Sequence, residues 1–294
     1  MSMDPQADRA SELRGSAVLR VMLGSQLRQF REDAGVTSEQ AGHQIRASRA
    51  KISRLEHGRV AVKDRDLTDL LTFYGITDET VQAKMLSIAR QAKTPDWWSK
   101  YDDILPDWFE AYLSLEEAAS VIRTLELQFV HGLFQTEDYA RAVTLLWHKT
   151  APPEEIDRRV NLRLKRQDVL TSPSPPCVWL VVDEAVLRRQ VGSRAVMNGQ
   201  LNHLAEVSEL PHVTVQVVPF SSGAHAAGGD SFTVLHFDGD GLPDVVYLEH
   251  LTSALYLDNR QDVEHYMQIF NEVRAGAMTP DRTAVLLAEI IKET

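Results

Sequence analysis

Residues 23–58 read LGSQLRQFREDAGVTSEQAGHQIRASRAKISRLEHG, and the organisation of the chain is worked out from them. Val18, Leu19, Met22, Leu23, Leu27, Phe30 and Ala34 recur at helical spacing, and Gly35 stops that first helix. Thr37-Ser38-Glu39-Gln40 has the form of a capping box, which opens a second helix whose Ala41 and Ile45 face inward. Ser48 caps a third helix, anchored by Ile52 and Leu55 and closed by Gly58. Small residues belong where such short helices cross, and Ala41 and Gly42 stand there. A glycine inside a helix costs about 1 kcal/mol against alanine, so Gly42 is expected to weaken the second helix slightly.

Charge points the same way. The 294 residues carry a net charge of −11, yet residues 11–60 hold nine Lys/Arg against five Asp/Glu. A basic module on an acidic body suggests a polyanion-binding head, with the body kept away from the same polyanion. A support helix, a short second helix, a tight turn at Arg46-Ala47 and a third helix with a polar outer face meet the demands of a helix-turn-helix that enters a DNA major groove.

The stretch Thr37-Ser38-Glu39-Gln40-Ala41-Gly42, with Ser48 and then Ile52-Ser53-Arg54-Leu55-Glu56-His57-Gly58, resembles the XRE (Cro/repressor-like) helix-turn-helix family. Gly42 departs from that family's usual alanine. Further segments resemble actinobacterial regulators of the WhiJ type: LFQTEDYARA (133–142), RLKRQDVL (163–170), VVDEAVLRRQVG (181–192), QLNHLAEVSELPHVTVQVVPFSSGAH (200–225) and DVVYLEHLTSALYLD (244–258). That resemblance implies a regulator of development or secondary metabolism with a small protein partner encoded next door.

The expected DNA contacts follow from helix position. Arg49, at the start of the third helix, can donate two bonds to guanine O6 and N7, and Ala50 can touch a thymine methyl. Ser53 lies one turn on and faces the groove. Lys51 and Arg54 reach either bases or phosphates, as does Arg46 at the turn. Gln40 and His57 are phosphate contacts, and Ser48 completes the set. Glu56 would oppose phosphate if exposed, so it is expected to pair locally with Arg28 or Arg31.

The remaining chain sorts by period. Residues 1–15 read as a flexible tail, 16–92 as the all-α helix-turn-helix domain and 93–113 as an aromatic-rich joint. Its Trp97, Trp98, Tyr101, Trp108, Phe109 and Tyr112 form either a packed connection or the wall of a pocket. Residues 114–294 form a signal-receiving and dimerisation domain, helical over 114–171 and mixed α/β over 177–294. Ser114-Leu115-Glu116-Glu117 is read as a second capping box, Thr136 as a cap and Pro152-Pro153 as a helix start. Arg158, Arg159, Arg163, Lys165 and Arg166 would then line the solvated or internally paired side of that last helix. After the SPSPP linker (172–176), strands are expected at 177–183, 213–220, 231–237, 244–250 and 253–258. The fold class is α+β overall: an all-α head, a helical segment and a C-terminal mixed α/β sheet domain.

Chemistry is sparsely signalled. There is no G-x-S-x-G around Ser221 or Ser222, no H-E-x-x-H and no Walker A or dinucleotide fingerprint. No cofactor or metal is expected, and the chain is not expected to be an enzyme. The single cysteine, Cys177, reads as a small buried hydrophobe, with a redox-sensing thiol as its alternative. The Gly-rich SSGAHAAGGD (221–230) reads as a loop over a pocket, and Glu184, Arg188, His225 and Glu249 are the polar candidates for binding an effector. The expected protein is a cytoplasmic, nucleoid-associated regulator with no membrane association. It would act as a homodimer on a near-palindromic double-stranded operator, modulated by a small protein partner or a ligand. The alternative is a toxin-like or enzymatic C-terminal domain in an autoregulated pair.

Overall fold

The structure, a computed structural model, describes residues 16–56, 58, 60–93, 96–227, 229–238 and 242–293. The expected tail (1–15) and the DNA contact His57 lie outside the described residues. The chain divides into two compact units. One ends at Ala118 and takes in Leu242. The other runs from Ala119 to Asp238 and onward from Pro243.

The first unit is helical: α1 (Ser16–Asp33), α2 (Ser38–Gln44), α3 (Arg49–Glu56), α4 (Asp64–Phe73), α5 (Glu79–Gln91) and α6 (Asp107–Ala118). Its core gathers one apolar stripe from each of the first five. Leu23 and Leu27 meet Ala41, Ile52, Leu55, Leu67, Leu70, Leu71, Met85 and Ala89. Asp78 caps α5 by accepting from the Thr80 N–H at 2.8 Å. The aromatic stretch belongs to this unit, with Trp98, Tyr101 and Tyr112 buried. Ser114 is not a cap. It lies inside α6, where its hydroxyl donates to the Glu110 carbonyl at 3.3 Å, a backbone bond that a helix already under way offers to serine.

The second unit is built on a six-stranded sheet of order β3-β2-β1-β4-β5-β6. The strands are β1 (Val121–Glu126), β2 (Cys177–Asp183), β3 (Val213–Val218), β4 (Phe232–His236), β5 (Val245–Glu249) and β6 (Ala254–Leu257). β1, β2 and β3 are parallel, whereas β1–β4, β4–β5 and β5–β6 pair antiparallel. Helices α7 (Glu137–Trp147) and α8 (Pro153–Arg166) lie between β1 and β2. Helices α9 (Glu184–Arg188) and α10 (Arg194–Val207) lie between β2 and β3, and α11 (Arg260–Gly276) and α12 (Pro280–Glu293) follow β6. Five strands fall where the sequence places them, and Thr136 caps α7 as expected.

Strand β1 is a correction, because 114–171 reads as helical throughout. VIRTLE runs up the middle of the sheet between β2 and β4, with both of its edges paired and Ile122, Thr124 and Leu125 buried. A centrally placed strand loses the clean polar/apolar alternation that marks a half-exposed one. Cys177 is a second correction: it is exposed at the start of β2. In the loop 221–230, Ala227 packs into the sheet core beside Phe232 and Phe270 while most of its other described residues are exposed.

Candidate nucleic-acid interface

The two short helices are set at a defined angle by local chemistry. The Gln40 N–H donates to Thr37 Oγ1 at 3.2 Å while the Thr37 N–H donates to Gln40 Oε1 at 2.8 Å, which completes the capping box. Between the helices Arg46 takes φ +53°, the left-handed region that a side chain enters at some cost. The Ala47 N–H then returns to the Gly42 carbonyl at 2.8 Å. Ser48 Oγ accepts from the Lys51 N–H at 3.2 Å and so caps α3.

Gly42 has a different meaning from the one its helix propensity suggests. A Cβ there would sit 2.7 Å from the Ala47 carbonyl oxygen, a backbone atom that the turn holds in place. Glycine is thus required for the closeness of the turn and is not a small defect. Gly24 plays the same part on α1, where a Cβ would meet the Leu55 oxygen at 2.4 Å and the Glu56 oxygen at 2.6 Å. The end of α3 rests directly on the α1 backbone.

One face of α3 is fastened and the other is left open. Ile52 and Leu55 are buried. Glu56 receives two bonds from the Arg31 guanidinium, Nε to Oε1 at 2.6 Å and Nη2 to Oε2 at 3.0 Å, and Arg31 Nη1 donates to the Val36 carbonyl at 2.9 Å. The hydrogen bond to Glu56 is the main reason that the Arg31 guanidinium is held above its ordinary range. Of the two partners expected for Glu56, Arg31 is the one, while Arg28 pairs with Glu32 at 3.0 Å on the exposed side of α1. On the open side Ser48, Arg49, Ala50, Ser53 and Arg54 are exposed, and Gln40 and Arg46 flank them. Lys51 differs from this group: its ammonium is 3.0 Å from Asp66 of α4, a carboxylate absent from the expected site. Asp66 sits fifteen residues away, and only the packing of α4 beside α3 reveals it.

Of the four effector candidates of the second unit, Glu184 and Arg188 meet in an ion pair. Glu184 accepts from the Phe220 N–H at 2.9 Å and from Arg188 at 2.6 Å, and Arg188 also donates to Glu293 at 2.9 Å. Burial alone would raise the Glu184 carboxyl, but the Phe220 N–H and Arg188 outweigh it and hold the carboxyl low. His225 places Nε2 3.8 Å from Asp183, and its Nδ1 is buried without a hydrogen-bond partner. Glu249 stands apart, at the end of β5, accepting from the Tyr247 hydroxyl at 3.0 Å.

A helix-turn-helix domain family matches residues 22–83. The chain is also similar to the clp gene regulator ClgR from C. glutamicum, whose crystal structure it matches at 32% identity. That match covers 26% of this chain and 96% of the other at a TM-score of 0.21. No curated protein matches the chain. The fold and the exposed helix define the class, a DNA-binding transcription regulator of the helix-turn-helix type. Residues 109–289 match a domain of unknown function, DUF5753, and the chain belongs to that family. Among the described residues no helix is long and apolar enough to cross a membrane.

Proposed function

We propose that the protein is a sequence-specific regulator of the XRE type, dimeric on a near-palindromic operator. Its DUF5753 domain would receive a signal, a small protein or a ligand, and perform no reaction of its own. The observation that supports this reading is the two-sidedness of α3. Its inner side is fixed by Ile52, Leu55 and the Arg31–Glu56 pair, while Arg49, Ala50, Ser53 and Arg54 face outward together. A helix immobilised from behind needs no backbone ordering when it docks, so only its outer side chains lose freedom on binding. A single head makes few phosphate contacts, and pairing two heads raises affinity through effective concentration.

The test begins with operator sequences selected by the full chain from random duplex DNA. Arg49→Ala is expected to cost about 1–3 kcal/mol in binding and to relax preference at one base pair. Removing a phosphate-contacting cation instead weakens all sequences alike and lowers the salt slope by about one. Unchanged affinity and preference in Arg49→Ala would refute the docking of α3. Sedimentation of the full chain with and without operator checks the dimer, and a monomer under both conditions removes that part.

A further inference from the structure

Two acidic residues stand in the first turn of α4, and they serve different neighbours. Asp64 accepts from Lys93 at 2.7 Å and from Arg90 at 3.1 Å, which ties α4 to the end of α5. Asp66 takes the Lys51 ammonium at 3.0 Å, which ties α4 to α3. The burial of this second pair is uneven: the Asp66 side chain is 16% exposed and that of Lys51 35%. Lys51 is the one ion-pair partner of Asp66 among the described residues. Should Lys51 swing out to a phosphate, a mostly buried carboxylate would lose its partner just as a polyanion arrives. Taking the partner from a desolvated charge costs more than forming the pair gains, and the bared carboxylate would repel phosphate as well. Lys51 therefore stays with Asp66 when DNA binds, while Arg46, Arg49 and Arg54 are exposed and ready to meet it.

The tie also falls at the place that matters for readout. Towards its carboxyl end α3 is fixed by Leu55 and by the pair of Glu56 with Arg31. Its amino end, the part that reaches base edges, carries Arg49. There the Lys51 N–H donates to Ser48 Oγ at 3.2 Å, and the Lys51 ammonium anchors the same turn to α4. Lys51 thus secures the amino end twice, through its backbone and through its side chain. A guanidinium that must meet two atoms of one base edge tolerates little play in the helix that carries it.

We propose that Asp66 is a positioning residue for base readout. It keeps Lys51 off the DNA phosphates and fixes the amino end of α3, so that Arg49 meets its base pair in one register. In this arrangement Lys51 is a strut between two helices and makes no DNA contact. The proposal rests on the reading that α3 enters the major groove, and the experiment separates the failure of one from the failure of the other.

The full chain and its variants are titrated with the selected operator and with an unrelated duplex, each between about 50 and 200 mM salt. Losing a cation that neutralises a phosphate flattens the plot of log K against log salt by about one per head. Lys51→Met keeps the stem but cannot pair. It is expected to leave that slope unchanged and to narrow the gap in affinity between operator and unrelated duplex several-fold. Asp66→Ala frees Lys51, so the slope should steepen by about one per head, an extra loss of about three- to fourfold across this salt range, while the gap narrows as in Lys51→Met. Asp66→Glu keeps the carboxylate and should retain the parent's gap. A slope flattened by about one in Lys51→Met makes Lys51 a phosphate contact and overturns the proposal. So does a gap left at its parent value in Lys51→Met, or one as narrow in Asp66→Glu as in Asp66→Ala. Thermal unfolding verifies that each variant is folded, and should Asp66→Ala not fold, Lys51→Met decides alone. Arg49→Ala is the control. If it leaves the gap unchanged, the docking of α3 fails and the positioning role falls with it. If it narrows the gap while Lys51→Met flattens the slope, α3 reads DNA and only the role of Asp66 falls.

Discussion

In the helix-turn-helix unit, Arg31 and Glu56 close on each other through two hydrogen bonds, with side-chain exposures of 11% and 6%. In the sheet unit, Arg163 donates to the neutral Gln135 at 3.0 Å and Glu249 takes its bond from the Tyr247 hydroxyl at 3.0 Å. The first arrangement satisfies both ions and offers nothing to a third party. The second gives each of these two charges a neutral partner. Charge in a protein is therefore informative through its geometry: a closed ion pair positions an element, and a charge held by a neutral group does so more weakly.

The largest expected effect breaks the closed pair. Glu56→Gln leaves Arg31 buried against a neutral partner and should cost about 3–5 kcal/mol in the stability of the first unit. Chemical denaturation, with hydrogen exchange of the α2 and α3 amides, measures it. Arg28→Gln removes the exposed pair with Glu32 and should change little, about 0–1 kcal/mol. Equal effects from the two substitutions would erase the distinction drawn above.

Gly42→Ala comes next and turns on a sign. Helix propensity alone favours alanine by about 1 kcal/mol. The backbone contact with Ala47 predicts the reverse, a loss of about 1–3 kcal/mol from overpacking. A stabilised variant would show that the turn can open. Arg46→Gly sharpens the same region from the other side. It relieves a left-handed side-chain residue and should raise stability by up to about 1 kcal/mol. If Arg46 also contacts DNA, operator affinity falls as stability rises, and the two readouts separate its roles.

A further effect lies in the sheet unit and is read from a pH profile. The Glu126 carboxyl is raised from an ordinary 4.5 to about 8, so over that window the folded chain holds a proton that the unfolded chain releases. The sheet unit must then lose stability as pH rises from about 4.5 to 8. Glu126→Gln cannot release that proton, and its unfolding temperature should decline less over the same range. Parallel pH profiles for the two proteins would mean that Glu126 ionises in the folded chain as it does in the unfolded one.

Legibility followed the range of the interactions. The capping box at Thr37–Gln40, the Ser48 cap and the buried positions Ile52 and Leu55 were readable because each depends on residues within about one or two helical turns. The outer face of α3 was readable for the same reason, since the period of its buried residues leaves the remainder outside. Five strands could be found from β-branched runs between turn signals. β1 could not, because VIRTLE sets Arg123 beside Thr124 and buries residues of both its faces, Ile122 and Leu125 among them, so no clean alternation marks it. The basic side of α8 was read as solvated or internally paired, and partners are found there: Arg159 pairs with Glu155, Lys165 with Asp168, and Arg163 donates to Gln135.

The sequence by itself determined the helix-turn-helix, its caps, its stops and the polarity of its reading face, through contacts that never span more than a few residues. Only the tertiary structure decided the rest. It chose Arg31 over Arg28 for Glu56, tied Lys51 to Asp66, and turned Gly42 from a weakness into a requirement. It also brought Thr124, Thr233 and Tyr247 into one row beside Glu126 and Glu249. These positions lie up to about 120 residues apart along the chain, and no local pattern relates them. What unites them is strand register, set when the apolar faces of distant segments are buried together.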